Sequence, residues 1–267
     1  MRVTIVGANG FVGKELVKFF TLKNYDVIKI TRGTPLPSFD CGYVIYAAGY
    51  GDCQSPINVL NGNIEYCIQC INSIKYKRFI YFSSTRVYMG NGKSNEDTNL
   101  KILQDDSRSI FNLSKLIAEK ILLSYENTTI IRPSNIYGAA FNSKLFLPSL
   151  VRDSLNKKNI DMYVTKNYEK DYIHIEDVCQ IIDSIINKES LKYNLYNVAS
   201  GYNITSEKIA NIIESETECN VNWHDIKYED YFPPISIDRI KEEFNFTPLN
   251  FEKSLIDMID EFREISQ

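Results

Sequence analysis

Histidine is scarce in this chain: His174 and His224 are the only two in 267 residues. That leaves no histidine-rich metal site, and no metal is expected. No apolar run approaches the roughly 20 residues a membrane helix needs. The N-terminus, Met1-Arg2-Val3-Thr4-Ile5-Val6-Gly7, reads as a short strand entering a glycine turn. It has neither the apolar core nor the small-residue cleavage site of a signal peptide. No basic block stands out, and the net charge is −4, so nucleic acid is a poor candidate partner. Internal repeats and low-complexity tracts are also missing. The resulting expectation is a cytosolic (cytoplasmic), complete chain that engages neither membrane nor nucleic acid.

What is present is ordinary globular composition, 44% hydrophobic and 24% charged, enough for a sizeable core. The length suits one large α/β domain, or such a domain with a small lobe. Six cysteines occur, at 41, 53, 67, 70, 179 and 219. Cys67 and Cys70 form a C-x-x-C, but no second pair matches it. Both lie in an apolar helical run, Ile57 to Ile74, and are read as buried structural thiols.

Strand and helix patterns alternate through the first 200 residues. Strands are expected at Val3–Val6, Tyr25–Thr31, Tyr43–Ala47, Arg78–Ser83 and Thr129–Arg132, the last closed by Pro133. Helical spacing appears at Phe11–Phe20, at Ile57–Ile74 and at Ile110–Tyr125. This rhythm implies a doubly wound α/β fold, a parallel sheet covered on both faces. Beyond Tyr137 the rhythm changes. Ser143–Asn156, Ser206–Glu214 and Ile235–Phe244 read as helices of a smaller lobe, and Asn194–Val198 as a strand returning to the main sheet. The expected division is a dinucleotide-binding Rossmann core at 1–138 with 168–199, and a substrate-binding lobe at 139–167 with 200–267. Ligands of open parallel sheets bind beyond the carboxyl ends of the strands, so the residues just after each strand matter most.

After the first strand comes Gly7-Ala8-Asn9-Gly10-Phe11-Val12-Gly13. Glycine permits positive φ and close backbone approach to a ligand. The helix that opens there offers unpaired N–H groups and partial positive charge to a pyrophosphate. The spacing, G-x-x-G-x-x-G, is one residue longer in its first gap than the usual dinucleotide fingerprint. The second strand ends at Ile30-Thr31-Arg32 with no acidic residue to hold a ribose 2′-hydroxyl. Arg32 suits a 2′-phosphate instead, which favours NADP(H), with NAD(H) as the alternative. A solvated loop arginine is the plainer reading of Arg32.

Further landmarks follow in order: Tyr43-Val44-Ile45-Tyr46-Ala47-Ala48-Gly49, Phe82-Ser83-Ser84-Thr85-Arg86-Val87-Tyr88, and Asn112-Leu113-Ser114-Lys115-Leu116-Ile117-Ala118-Glu119. Ile131-Arg132-Pro133-Ser134-Asn135-Ile136-Tyr137-Gly138 and Asp171-Tyr172-Ile173-His174-Ile175-Glu176-Asp177-Val178 complete the series. Together with Gly7–Gly13 they resemble the extended short-chain dehydrogenase/reductase family, the NAD-dependent epimerases and dehydratases of nucleotide sugars. The resemblance runs from residue 3 to about residue 200. It implies a nucleoside-diphosphate sugar as substrate, a hydride-transfer reaction of the epimerase, 4-keto reductase or dehydratase type, and a role in bacterial surface-polysaccharide synthesis. A homodimer is also implied, through helices around Ile57–Ile74 and Ile110–Tyr125.

By the same resemblance Ser84 holds the reacting hydroxyl and Lys115 is the active-site lysine. Gly7, Asn9, Gly10, Phe11, Val12, Gly13, Arg32, Ala47, Ala48, Gly49, Asn58, Lys115 and Pro133 fall on the cofactor side. Ser84, Thr85, Asn135 and Lys170 fall on the substrate side, Lys170 standing where an arginine is common. An arginine expected near the C-terminal end is replaced by Tyr231-Phe232-Pro233-Pro234-Ile235. His174 is read as a packed residue, Asp177 as a cap and Asp171 as a fold-stabilising contact.

The departure that matters is Phe111. The family places its base, a tyrosine, four residues before the lysine, one helical turn away on the same face. Tyrosine ionises near pH 10, so working near neutrality needs its pKa lowered by about 3, worth about 4 kcal/mol. A lysine ammonium and a positive nicotinamide supply that by favouring the phenolate. Phenylalanine keeps the ring and has no proton to exchange. Three readings stay open: an engineered variant that traps substrate, a natural protein using Tyr88 or a Ser84-bound water, and a non-catalytic NADP(H)-binding sensor or structural protein.

Overall fold

The computed structural model describes residues 1–226 and 230–266. Its centre is a sheet of short apolar strands: β1 (Arg2–Val6), β2 (Asp26–Ile30), β3 (Tyr43–Tyr46), β4 (Arg78–Phe82), β5 (Thr128–Pro133) and, after an excursion, β9 (Leu195–Val198). The order is β2-β1-β3-β4-β5-β9, every pair parallel. The doubly wound α/β expectation holds, and 194–198 does return to the main sheet.

Side chains alternate across this sheet with the two-residue period of a strand. Tyr43, Ile45, Ile80 and Phe82 face a cluster with Leu16 and Phe20 of α1 (Phe11–Leu22) and Val178 and Ile182 of α6 (Ile175–Asn187). Val44, Tyr46, Phe79 and Tyr81 face the other way. There they meet Cys67, Cys70 and Ile71 of α3 (Tyr66–Ser73) and Ala118 and Leu122 of α4 (Ser109–Leu122). Cys67 and Cys70 are thus buried free thiols, as expected.

A separate apolar cluster builds the second lobe. It joins α5 (Phe146–Lys157), β7 (Asn159–Met162), α7 (Ser206–Thr217) and α9 (Phe251–Ser266) through Val151, Ile160, Ile209, Ile213, Leu255 and Phe262. β7 pairs with β11 (Asn220–Trp223). Between the lobes runs a three-stranded sheet of β6 (Asn135–Tyr137), β8 (Glu169–His174) and β10 (Asn203–Thr205). Ile235 and Ile237, with Ile240 of α8 (Asp238–Phe244), pack into the first lobe's core.

Two helical expectations need correction. The stretch Ile57–Ile74 is not one α-helix: α2 (Pro56–Leu60) passes into a π-helical turn, Asn61–Glu65, before α3. Within that wide turn the Gly62 and Asn63 carbonyls accept the Tyr46 and Tyr81 hydroxyls at 2.7 and 3.0 Å. Nor does a helix begin at Ile235. Pro233 and Pro234 precede it, and the Ser236 N–H is spent on Ser94 Oγ at 2.9 Å, so α8 starts at Asp238. Among the described residues no helix is long and apolar enough to cross a membrane.

Candidate active site

β1 delivers the chain to Gly7, whose φ is +89°. A Cβ there would lie 2.6 Å from Ala48 N, and one at Gly13 would lie 2.1 Å from Gly7 O. Both glycines are therefore required by close backbone contact, which seats the start of α1 tightly on the ends of β1 and β3. Gly10 is the N-cap of α1 and supplies no side-chain bond. The first-turn N–H groups carry the helix's partial positive charge with no capping side chain over them. Through its N-cap Gly10, this helix start borders a cleft of about 770 Å³ lined by Gly7, Asn9, Gly10, Arg32, Ala47, Ala48, Gly49 and Asn58. All eight were expected on the cofactor side. It lies at the β1/β3 boundary, where successive crossovers leave the sheet in opposite directions.

Phe11 and Val12 point elsewhere. With Asn135 and Lys170 they line a second cavity of about 380 Å³, whose far wall is Leu145, Pro148, Val164 and Tyr168. Asn135 is oriented by Nδ2 donating to the Asp171 carbonyl at 2.7 Å. The Lys170 amine is pushed down to about 8, mainly by burial. Asp230 opposes that shift; the positive charges of Arg86 and Arg108 add to it. The ammonium sits 4.8 Å from the centroids of both Tyr168 and Phe232. Phe232 belongs to the segment that replaces the expected arginine.

The chemistry residues line neither cavity; Lys115 stands directly behind Gly49 of the first cleft's wall. Ser84 follows β4, half-buried, its Oγ accepting the Arg86 N–H at 3.1 Å. Lys115 is buried on α4, and its Nζ donates to the Phe82 carbonyl at 2.9 Å and to Tyr81 Oη at 3.4 Å. Burial pushes this amine down to about 8 against the pull of Cys67 and Glu119. Phe111 is half-buried one turn earlier. Its ring centroid is 5.7 Å from Lys115 Nζ and 5.1 Å from the guanidinium of the exposed Arg108. Thr85 and Pro133 are buried and, like Ser84 and Lys115, line neither cavity.

A buried polar chain supports this region. Ser83 Oγ donates to Glu119, which is paired with Arg132 at 2.5 Å. Arg132 Nη1 donates to Tyr88 Oη at 2.6 Å, and Tyr88 donates to Asn197 Oδ1 at 3.0 Å. This corrects one reading of the sequence. Tyr88 is fully buried, committed to two partners, and pushed up to about 12 by burial, so it is no substitute base. A second correction concerns α6: its N-cap is His174, whose Nδ1 accepts the Glu176 N–H. Asp177 instead accepts the Leu249 N–H at 3.0 Å, while Asp171 accepts those of Ser200 and Gly201.

Several site residues escaped the sequence reading. Thr31, Gly33, Tyr50, Asn61, Gly62 and Tyr66 also line the first cleft. Arg86 is held by Asp106 through both carboxylate oxygens, at 2.9 and 3.2 Å. The cluster Asn61-Gly62-Asn63 inside an apolar helical pattern was the available signal for the first group. The Arg86–Asp106 pair spans 20 residues and left none.

A model of the family described as "NAD dependent epimerase/dehydratase family" matches residues 36–199. A dTDP-D-glucose 4,6-dehydratase of Dictyostelium discoideum is 29% identical over 264 residues, covering 78% of this chain and 60% of that protein. Among solved structures, MoeE5 in complex with UDP-glucose and NAD superposes with a TM-score of 0.84 at 18% identity, covering 100% of both chains. The UDP-glucose 4-epimerase of Thermotoga maritima with UDP-glucose gives 0.82 at 16% identity, again over 100% of both. With the family match spanning more than half its length, the chain belongs to the NAD-dependent epimerase/dehydratase family, the extended short-chain dehydrogenases that share this fold.

Proposed function

We propose that the chain binds NADP(H) in the first cleft and a nucleoside-diphosphate sugar across the second, as an epimerase, 4-keto reductase or dehydratase. The observation that carries this is the uncapped start of α1 facing a glycine-walled cleft, with the Lys115 ammonium just behind Gly49. Gly7 and Gly13 let the backbones of β1, β3 and α1 close together, which sets the helix start at the edge of the cleft, where a pyrophosphate can be held. Bound there, a nicotinamide supplies hydride acceptance or donation. The protein's part is orientation: Ser84 Oγ holds the reacting hydroxyl and Lys115 places positive charge nearby. Asn135 and Lys170 meet the polar, anionic side of the substrate, Lys170 as a point charge.

The cofactor preference rests on the turn after β2. Arg32 is exposed at its tip, Thr31 and Thr34 hydroxyls bond each other at 2.9 Å beside it, and no carboxylate lies in Thr31–Thr34. A guanidinium with neighbouring hydroxyls suits a 2′-phosphate, and NAD(H) is the alternative. We extend the proposal to the two-lobe division, 1–138 with 168–199 and 139–167 with 200–267, with 235–246 bonded to the first lobe's core. Cytoplasmic location and a role in surface-polysaccharide synthesis belong to the same reading. So does a homodimer: Ile57, Leu60, Leu113 and Ile117 expose an apolar face on the neighbouring helices α2 and α4.

Phe111 favours a second reading, a cofactor-binding sensor without turnover, because Tyr88 is unavailable as base. The test is a thermal-shift and hydride-transfer screen of uridine, thymidine, cytidine and guanosine diphosphate sugars with NADP⁺ and, for 4-keto sugars, NADPH, on the chain and on Phe111→Tyr. Stabilisation by a sugar nucleotide, with turnover in the variant, supports the enzyme reading. Cofactor binding with no sugar-nucleotide response and no turnover supports the sensor.

A further inference from the structure

The π-helical turn Asn61–Glu65 interrupts what would otherwise be a continuous helix beside the first cleft, and single π turns concentrate at functional sites. Its central residue, Asn63, is 0% exposed and makes four hydrogen bonds. Asn63 Oδ1 accepts the Tyr50 N–H at 3.0 Å, and Nδ2 donates to the Tyr50 carbonyl at 3.2 Å. The side-chain amide thus pairs with the Tyr50 peptide unit much as a neighbouring strand would. The second Nδ2 hydrogen goes to Ser114 Oγ at 2.9 Å, and Ser114 Oγ donates in turn to the Phe111 carbonyl at 2.8 Å. The Asn63 carbonyl accepts Tyr81 Oη, which also contacts Lys115 Nζ at 3.4 Å.

One residue therefore ties together the loop after β3, helix α4 at Ser114 between Phe111 and Lys115, and the Tyr81–Lys115 contact. The gap it sets is narrow. A Cβ on Gly49 would lie 3.0 Å from Asn63 Oδ1 and 3.5 Å from Lys115 Nζ, so both groups stand close against that wall. Buried polar groups with every partner satisfied rigidify their surroundings, and losing one partner leaves the others uncompensated.

We propose that Asn63 is a positioning residue that fixes the Gly49–Tyr50 wall of the cleft against Lys115, and so determines how the nicotinamide half of the dinucleotide is held. This rests on the dinucleotide reading above. It predicts a split between the two halves of the ligand. The pyrophosphate and adenine end meets Gly7–Gly13 and Thr31–Gly33, none of which Asn63 bonds.

The test is titration of the wild type and Asn63→Ala with NADPH, followed by its fluorescence, and with ADP, followed by calorimetry. The expected result is ADP affinity within twofold in both proteins and NADPH affinity at least tenfold weaker in the variant. A role limited to fold stability would instead lower the melting temperature and leave the ratio of the two affinities unchanged, which overturns the proposal. Should Asn63→Ala not fold, Asn63→Asp carries the same test. It keeps the acceptor for Tyr50 N–H and the volume, and it removes both donors. A wild type that binds neither ligand refutes the dinucleotide reading itself, and this inference with it. A wild type that binds both, beside a variant that also binds both equally well, refutes this inference alone.

Discussion

Replacing Phe111 with tyrosine should create a phenol that ionises well below the usual value of about 10. The ring it would share lies 5.7 Å from Lys115 Nζ and 5.1 Å from the Arg108 guanidinium. At an effective dielectric of about 20, one unit charge about 6 Å away favours the phenolate by about 3 kcal/mol, near two powers of ten in the ionisation constant. Two effects reduce this. Arg108 is exposed, so water screens its share. Lys115 itself loses its proton near 8, so the pair titrates together, and part of the field is gone before the phenol ionises. The net expectation is an ionisation about 1 to 2 pH units lower than a free tyrosine. The assay is the ultraviolet difference spectrum of tyrosinate, variant minus parent, across an alkaline titration. The 18 native tyrosines cancel in that difference. A new tyrosine that titrates at or above its ordinary value would mean that Lys115 and Arg108 do not act on position 111, and the electrostatic account of the site would be wrong.

Other perturbations have equally definite outcomes. Gly13→Ala places a methyl 2.1 Å from the Gly7 carbonyl, so α1 must shift off β1; a loss of about 1–3 kcal/mol in urea unfolding is expected, with dinucleotide affinity falling at least tenfold. Arg132→Met leaves Glu119 buried and unpaired, and the unfolding free energy should drop by about 3–5 kcal/mol; a change below about 1 kcal/mol would show that the pair is not buried as described. Lys115 gives a pH signature. Its folded-state pKa, about 8, lies below the unfolded value, so the folded state sheds its proton first. The destabilisation is therefore complete below the folded pKa, and stability should rise with pH through the window from about 8 to 10.4, by on the order of 3 kcal/mol relative to Lys115→Met. Parallel urea midpoints for the two proteins across that window would contradict it.

What could be read from sequence was what is local. Val3–Val6 running into Gly7, and Gly10 opening α1, are adjacent in the chain, so strand, turn and helix start were legible together. The landmarks around Ser84 and Lys115 were legible because each is a local run of residues, one just after β4 and one within α4. The π turn was not, since Asn61-Gly62-Asn63 has the polarity of an exposed helix face and its hydroxyl partners, Tyr46 and Tyr81, come from separate strands. Tyr88 was open as an alternative base because its partners, Arg132 and Asn197, lie 44 and 109 residues away in the chain. Thr85 and Pro133, given ligand roles by the resemblance, are buried in a 3-10 turn and at the end of β5 respectively, which their sequence neighbourhood does not reveal.

The most direct test is a calorimetric titration of NADPH and NADH into the unaltered chain. The account predicts one dinucleotide per chain, bound in the cleft at the start of α1, with NADPH the tighter of the two because Arg32 stands where no carboxylate does. Absence of heat for both, with no rise in melting temperature at saturating concentrations of either, would contradict it.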